Sequence, residues 1–206
     1  MDSKASFAMI IGAAIADVVL QPVDENVFSE GSHPVEHIAL TLGGDALNES
    51  ITLARLNCAP VLVTRLGRDD TARMIRTRCE AEGVALIAQE DSEAPTGINA
   101  VLVAPDGERS FVTNRNGTLR KLSEEDVMAA MRSDVFENVG LICLASLFVS
   151  PLLGVDETAR LFQYASQRHK IICADMTTPK NGETAASMRP ALQYVDHLFA
   201  NLEEAR

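Results

Sequence analysis

The stretch LGGDALNESITLARL, Leu42 to Leu56, decides how the rest of the chain is read. Leu47, Ile51 and Ala54 fall on one stripe at the spacing of an amphipathic helix, with polar residues on the other side. Gly43 and Gly44 stand directly before that helix, where glycine permits positive φ and lets another group approach the backbone closely. Asp45 is expected to cap the helix, because a carboxylate accepts from first-turn N–H groups that have no partner. A strand, a bare double-glycine corner and a helix start together form a place to hold a polar small molecule. The alternative is a plain strand-to-helix turn with no ligand.

Moving outward, Phe7 to Ala14 is a short continuous apolar run, as expected of a buried strand in a parallel sheet. Asp17 lies just past it, where open α/β sheets place ligand contacts. Residues 18–42 do not read as a helix. Val18 to Leu20 and Val35 to Leu42 are strand candidates, the latter with Ile38, Leu40 and Leu42 on one face. They predict a small β element that covers the core and does not build it. Pro60 to Leu66 is a second buried strand. It is followed by a helix capped by Asp69 or Asp70, with Ala72, Ile75 and Cys79 inward and Gly83 at its end. Val84 to Ala88 is a short strand.

Ile98 to Ala104 and Arg109 to Thr113 flank Asp106-Gly107 and predict a hairpin. Ser123 to Asp126 opens a helix with a capping-box pattern. Gly140 to Ser146 and Lys170 to Asp175 are strands around a helix over 156–168. A short helix over 183–189 should end at Pro190, and His197 to Ala200 begins a last strand. This alternation implies parallel strands with right-handed crossovers. The chain ends on a helical-looking segment without a stop signal.

The 206 residues carry a net charge of −11, with 47% hydrophobic and 23% charged residues. That balance is globular, and it argues against nucleic acid, whose phosphates such a surface repels. No apolar run approaches the roughly 20 residues needed to span a bilayer, so no membrane partner is expected. Cys58, Cys79, Cys143 and Cys173 are widely spaced, with no zinc-like cluster. A reducing compartment suits them, and a cytoplasmic location is expected.

The order of features resembles the ribokinase-like, or PfkB, family of carbohydrate kinases. The residues that carry the likeness are Gly12 and Asp17 after the first strand, a β insertion, then Gly43-Gly44 with Asn48 one turn into a helix. Val63 to Asp70 follow, then Thr96-Gly97 leading a hairpin whose return strand carries Glu108-Arg109-Ser110, and N-x-x-E at Asn201 to Glu204. The resemblance covers residues 7–206 and only the N-terminal and middle parts of that family. It implies an α/β, Rossmann-like three-layer sandwich with a mostly parallel sheet and a small β lid, the C-terminal part of the fold being missing. Residues 1–206 would be one incomplete domain, with lid elements around 18–42 and 96–114.

The resemblance also implies roles. Asp17, Gly43, Gly44, Asp45 and Asn48 would line a sugar pocket, with Thr96, Gly97 and Asn99 at its edge. Sugar hydroxyls both donate and accept, and carboxylates and amides satisfy them in pairs. A hydrogen bond to a charged Asp contributes roughly 1.5–3 kcal/mol, enough to set hydroxyl specificity. Arg115 and Asp175 would stand on the substrate side. Asn201, Glu204 and Lys180 would face ATP, with Glu204 near Mg²⁺, which keeps several waters among its oxygen ligands. The lid would pair two subunits as a homodimer.

The departures narrow the acceptor. Asp45 stands where many sugar kinases carry another small or basic residue, Ile15 where ribose kinases carry an amide, and Leu147-Phe148 follow LICLAS without the acidic residue of ribose kinases. Ribose is therefore disfavoured, while a sugar acid, a fructose derivative or a nucleoside stays open. No Gly-Ala-Gly-Asp run occurs, so the catalytic base is expected beyond Arg206; such a base contributes about 10²–10⁴ in rate. The expected activity is ATP-dependent phosphorylation of a sugar or sugar-acid hydroxyl, lost in this truncated chain. The alternative is a non-catalytic sugar-binding or regulatory module of the same fold. A nucleotide-dependent oxidoreductase is disfavoured, since no G-x-G-x-x-G follows the first strand. A sheet lacking its last strands should expose apolar surface and an open edge, which predicts a poorly stable or associating chain.

Overall fold

Strand β1, Phe7–Ile11, is the axis of the molecule; the computed structural model describes residues 7–179 and 182–204. After it come β2 Ile15–Gln21, a 3-10 turn Glu25–Phe28, β3 His37–Gly43, α1 Asp45–Arg55, β4 Ala59–Leu66, α2 Asp70–Glu82 and β5 Ala85–Glu90. The chain continues through β6 Ile98–Val103, β7 Arg109–Thr113, a 3-10 turn Thr118–Arg120, α3 Glu124–Met131, α4 Asp134–Glu137 and β8 Val139–Leu144. It closes with α5 Val155–Ser166, β9 Ile171–Asp175, α6 Ala185–Leu192 and β10 His197–Phe199.

Six strands form a parallel sheet in the order β10-β9-β8-β1-β4-β5. Alternate side chains of each strand enter different cores, as the pleat requires. Met9, Ile11, Val61, Val63, Ile142 and Leu144 pack against Val127 and Met131 of α3, Phe162 of α5 and Met188 of α6. Ala8, Ile10, Leu62 and Leu66 pack on the other side, against Leu47 and Ile51 of α1 and Ala72, Ile75 and Cys79 of α2. Helix, sheet and helix make the three layers. A parallel sheet needs both faces covered. On the α1 side the cover stops short: Leu141, Cys143, Cys173 and Phe199 line an open groove of about 550 Å³ beside that helix.

A second sheet has the order β3-β2-β6-β7. It joins the insertion after β1 to the later hairpin, with β2 and β6 running parallel. Pairing puts Asp17, Thr41, Asn99 and Thr113 in one row across its four strands. Ile38, Leu40 and Val112 lie on the opposite face, 65%, 55% and 59% exposed.

Several local expectations need correction. Asp17 lies inside β2 and not in a loop after the first strand, because β1 stops at Ile11 and a new strand begins at Ile15. Asp45 is the first residue of α1 and not its cap; the N-cap is Gly44, with no side-chain bond to the helix. Pro190 sits within α6 rather than ending it. Its ring forfeits one backbone bond, while burial of Met188 and Ala191 holds the turn together. The cap at Asp69, the left-handed Gly83 and the capping box between Ser123 and Asp126 are as the sequence predicts.

Candidate functional site

In the parallel sheet the strand order reverses around β1, which lies between β8 and β4. Ligands of open α/β sheets bind outside the carboxyl ends of the strands at such a point. Here β1 runs out into Gly12 and Ala13, β8 runs out into Ala145 and Ser146, and α1 begins just above them. Leu47 N–H donates to Ala13 O at 3.3 Å and ties that helix start to the end of β1.

Asp17 projects from β2 over this corner. Asn99 Nδ2 donates to its Oδ1 at 2.9 Å. Its Oδ2 lies against Gly43, where any Cβ would overlap it. Gly44 has φ +91°, and a side chain there would collide with Ala13 O. Gly44 is therefore required to turn the chain, while Gly43 leaves room for the Asp17 carboxylate. Ser146 Oγ donates to Asp45 Oδ2, closing the corner from the β8 side. Ser146 has φ 63° and Phe148 φ 74°, a conformation that L residues other than glycine rarely adopt. Strain of this kind gathers at functional sites.

The carboxylates are close enough to perturb one another. Burial raises Asp17 above its usual value, against the Asn99 hydrogen bond, and Asp45 adds to the rise. Burial likewise pushes Glu49 up to about 7, although the Cys143 thiol hydrogen-bonds to it, with Asp175 and Asp45 adding repulsion. Asp175, at the end of β9, is raised by burial and then by Asp45 and Glu204. Cys143 and Cys173 pair in register and face the same groove. Burial holds both thiols above their usual value, so they act as apolar wall and not as nucleophiles.

Among the residues singled out by sequence, Asp17, Gly43, Gly44, Asp45 and Asn99 come together at this corner. Asn48 is exposed one turn into α1 and borders the groove with Glu49 and Asp175. Thr96 is buried and spent within the fold: it donates to Asp69 Oδ1 at 2.7 Å and accepts from Gly67 N–H at 2.9 Å. Gly97 is a packed joint, its carbonyl accepting from Ala16 N–H at 3.0 Å. Arg115 is exposed and makes no hydrogen bond or ion pair with the described residues. Asn201 Oδ1 accepts from the N–H groups of Glu203 at 2.9 Å and Glu204 at 3.0 Å. Glu204 Oε2 accepts from Asn201 N–H at 2.8 Å, so the pair closes its own turn. Lys180 lies outside the described residues. Sequence reasoning missed Ser146 and Glu49. Ser146 ends a buried strand at the switch point, and Glu49 sits beside Asn48 in the opening stretch, so both were findable.

The model of the pfkB family of carbohydrate kinases matches residues 5–206. The chain belongs to that family. Among PfkB relatives, an adenosine kinase of Dictyostelium discoideum is 33% identical over 146 residues, 68% of this chain and 40% of that protein. YegV, an uncharacterized sugar kinase of Escherichia coli (strain K12), is 33% identical over 107 residues, 51% of this chain and 32% of that one. A fructokinase from Xylella fastidiosa, solved with bound ATP, superposes with a TM-score of 0.73 at 21% identity, covering 94% of this chain and 60% of that chain. A ribokinase from Giardia lamblia gives 0.74 at 19% identity, over 97% and 59%. At these identities the structures show the shared fold. The chain spans well under two thirds of each of these four proteins.

Proposed function

We propose that this chain carries the acceptor-binding side of a PfkB kinase that transfers the γ-phosphoryl group of ATP to a hydroxyl of a sugar-like polyol. The observation that carries the reading is Asp17, pinned by Asn99 over Gly43 and beside the Asp45–Ser146 bond, at the switch point of the sheet. Asp17 would accept from acceptor hydroxyls and Asn48 would reach the same molecule from α1. The second sheet would serve as a lid, its row of Asp17, Thr41, Asn99 and Thr113 facing the acceptor. The outer apolar face with Ile38, Leu40 and Val112 would pair two lids in a homodimer.

ATP with Mg²⁺ supplies the phosphoryl group and screens its charge when bound. The described residues contain no group of three or more ligands arranged to hold a metal. Glu204, with one oxygen spent on its own turn and Asp175 within electrostatic reach, suits a hydrated cation held through water, as Mg²⁺ often is. Since no Gly-Ala-Gly-Asp run occurs in the 206 residues, the chain alone is expected to bind acceptor without turning it over.

Calorimetry against a panel of sugars, followed by an ATP-dependent phosphorylation assay, tests this. The expected result is saturable binding of a polyol, abolished by Asp17→Ala, with no phosphate transfer. Turnover at an ordinary kinase rate would show that the base lies within these residues. Failure of every polyol to bind would overturn the acceptor site itself.

A further inference from the structure

The corner around Asp45 is rich in carboxylate acceptors, with the amide of Asn48 beside them. Asp17 near the start of β2, Asp45 and Glu49 in the first turns of α1, and Asp175 at the end of β9 bring four carboxyl groups to this side of the sheet. None of them hydrogen-bonds or ion-pairs with Lys, Arg or His among the described residues. Arg65, the cation at the end of β4, is committed to Asp91 at 3.0 Å and Asp126 at 2.9 Å. Two side-chain donors at the corner are spent inside it: Asn99 Nδ2 on Asp17 and Ser146 Oγ on Asp45. An independent sign of a missing donor is Asn99 itself. It is only 7% exposed, and its Oδ1 is buried without any partner. A buried acceptor left unmatched is costly, and such atoms in native folds call for an explanation.

We propose that the acceptor taken by this site is a polyol bearing a protonated amino group, an amino-deoxy sugar being the simplest case. The proposal rests on the acceptor-site reading above. Hydroxyls donate one proton each and an ammonium donates three, whereas a carboxylate or phosphate substituent only accepts. The start of α1 would ordinarily favour an anion. Asp45, the first residue of that helix, already places a carboxylate there. Burial is the main reason Asp17, Glu49 and Asp175 are raised, and the neighbouring Asp45 carboxylate adds repulsion to each. A cationic substituent relieves that repulsion and an anionic one adds to it. Sugar acids and sugar phosphates are thereby disfavoured.

The test is isothermal titration of the 206-residue chain at neutral pH and low salt. The ligands are glucosamine, N-acetylglucosamine, glucose and gluconate, with 1-amino-1-deoxyfructose and fructose as a second series. The amine in at least one series should bind about tenfold tighter than its neutral parent, as charge-assisted hydrogen bonds are roughly twice as strong as neutral ones. Gluconate should give no heat, and neither should ethanolamine, which carries the charge without the ring. Asp45→Asn should collapse the ratio of amine to parent towards one, its fold being checked by thermal denaturation. Equal binding of amine and parent, tighter binding of gluconate, or ethanolamine matching the amino sugar would overturn the inference while the acceptor site stands. No heat from either sugar series would overturn both.

Discussion

Gly43 and Gly44 are adjacent and yet answer to different constraints. A Cβ on Gly43 meets the end of the Asp17 side chain, which can swing away. A Cβ on Gly44 meets the backbone at Ala13 and a φ of +91°, and neither can yield cheaply. Gly43→Ala should therefore lower acceptor affinity at least about tenfold with little change in thermal midpoint, since it costs a charged hydrogen bond. Gly44→Ala should destabilise the fold by roughly 2 kcal/mol or more; urea denaturation of the two variants separates these outcomes. Glu49 gives a pH signature. Its carboxyl titrates at about 7 in the fold against 4.5 ordinarily, so between these values the folded chain binds the proton that the unfolded chain releases. Stability must then fall as pH rises through that window. Glu49→Gln should flatten this part of the dependence and raise the thermal midpoint at pH above the window, which scanning fluorimetry across pH reads directly.

At the scale of elements, the site corner is braced from behind by one arginine. Arg65, at the end of β4, bonds to Asp91 after β5 and to both oxygens of Asp126 in α3. Asp126 also accepts from Ser123 N–H at 2.9 Å to complete the α3 capping box. Asp91 is held down to about 2, first by Ala94 N–H, with Glu93 N–H and Arg65 assisting. Asp91 and Asp126 are 7% and 8% exposed. Arg65→Ala would leave Asp126 without its cation and Asp91 with only Lys121 at 3.9 Å, and should cost about 2–3 kcal/mol in urea denaturation, the partial exposure of the pair reducing the value for a fully buried one. The lid shows how far local pattern reaches. The hairpin turn at Asp106-Gly107 and the alternation of β3 are visible in the chain. The parallel pairing of β2 with β6 joins segments some 80 positions apart, as Asp17 and Asn99 illustrate, and no local pattern encodes it.

At the scale of the molecule, the described residues expose apolar surface on the lid and on the main sheet. On the lid, Ile38, Leu40 and Val112 share one outward face. If that face joins two copies, Leu40→Glu should convert a dimer to a monomer in sedimentation velocity, with the circular dichroism spectrum unchanged. A variant that sediments as the unaltered chain does would remove the lid from the interface. On the main sheet, the α1 side lies open at the groove lined by Leu141, Cys143, Cys173 and Phe199.

Periodicity and turn chemistry in the chain were sufficient for the α/β class, the buried strands, an aspartate cap on α2 at Asp69 or Asp70 and the double-glycine corner before α1. These depend on neighbours within a turn or a strand, and sequence carries such information directly. Asn48 was legible as a polar residue one turn into α1, and Asp17 as a carboxylate near the end of the first strand, though not as part of a second strand. The tertiary structure alone decided that Asp17 sits within a strand of a second sheet, that Asn99 holds it, and that Ser146 reaches Asp45 from 101 positions away. It also decided that Thr96 is spent inside the fold and that Glu49 shares its charge with Asp45 and Asp175. Each of these depends on which strand ends the parallel sheet brings together, and that proximity arises from the order of strands around β1.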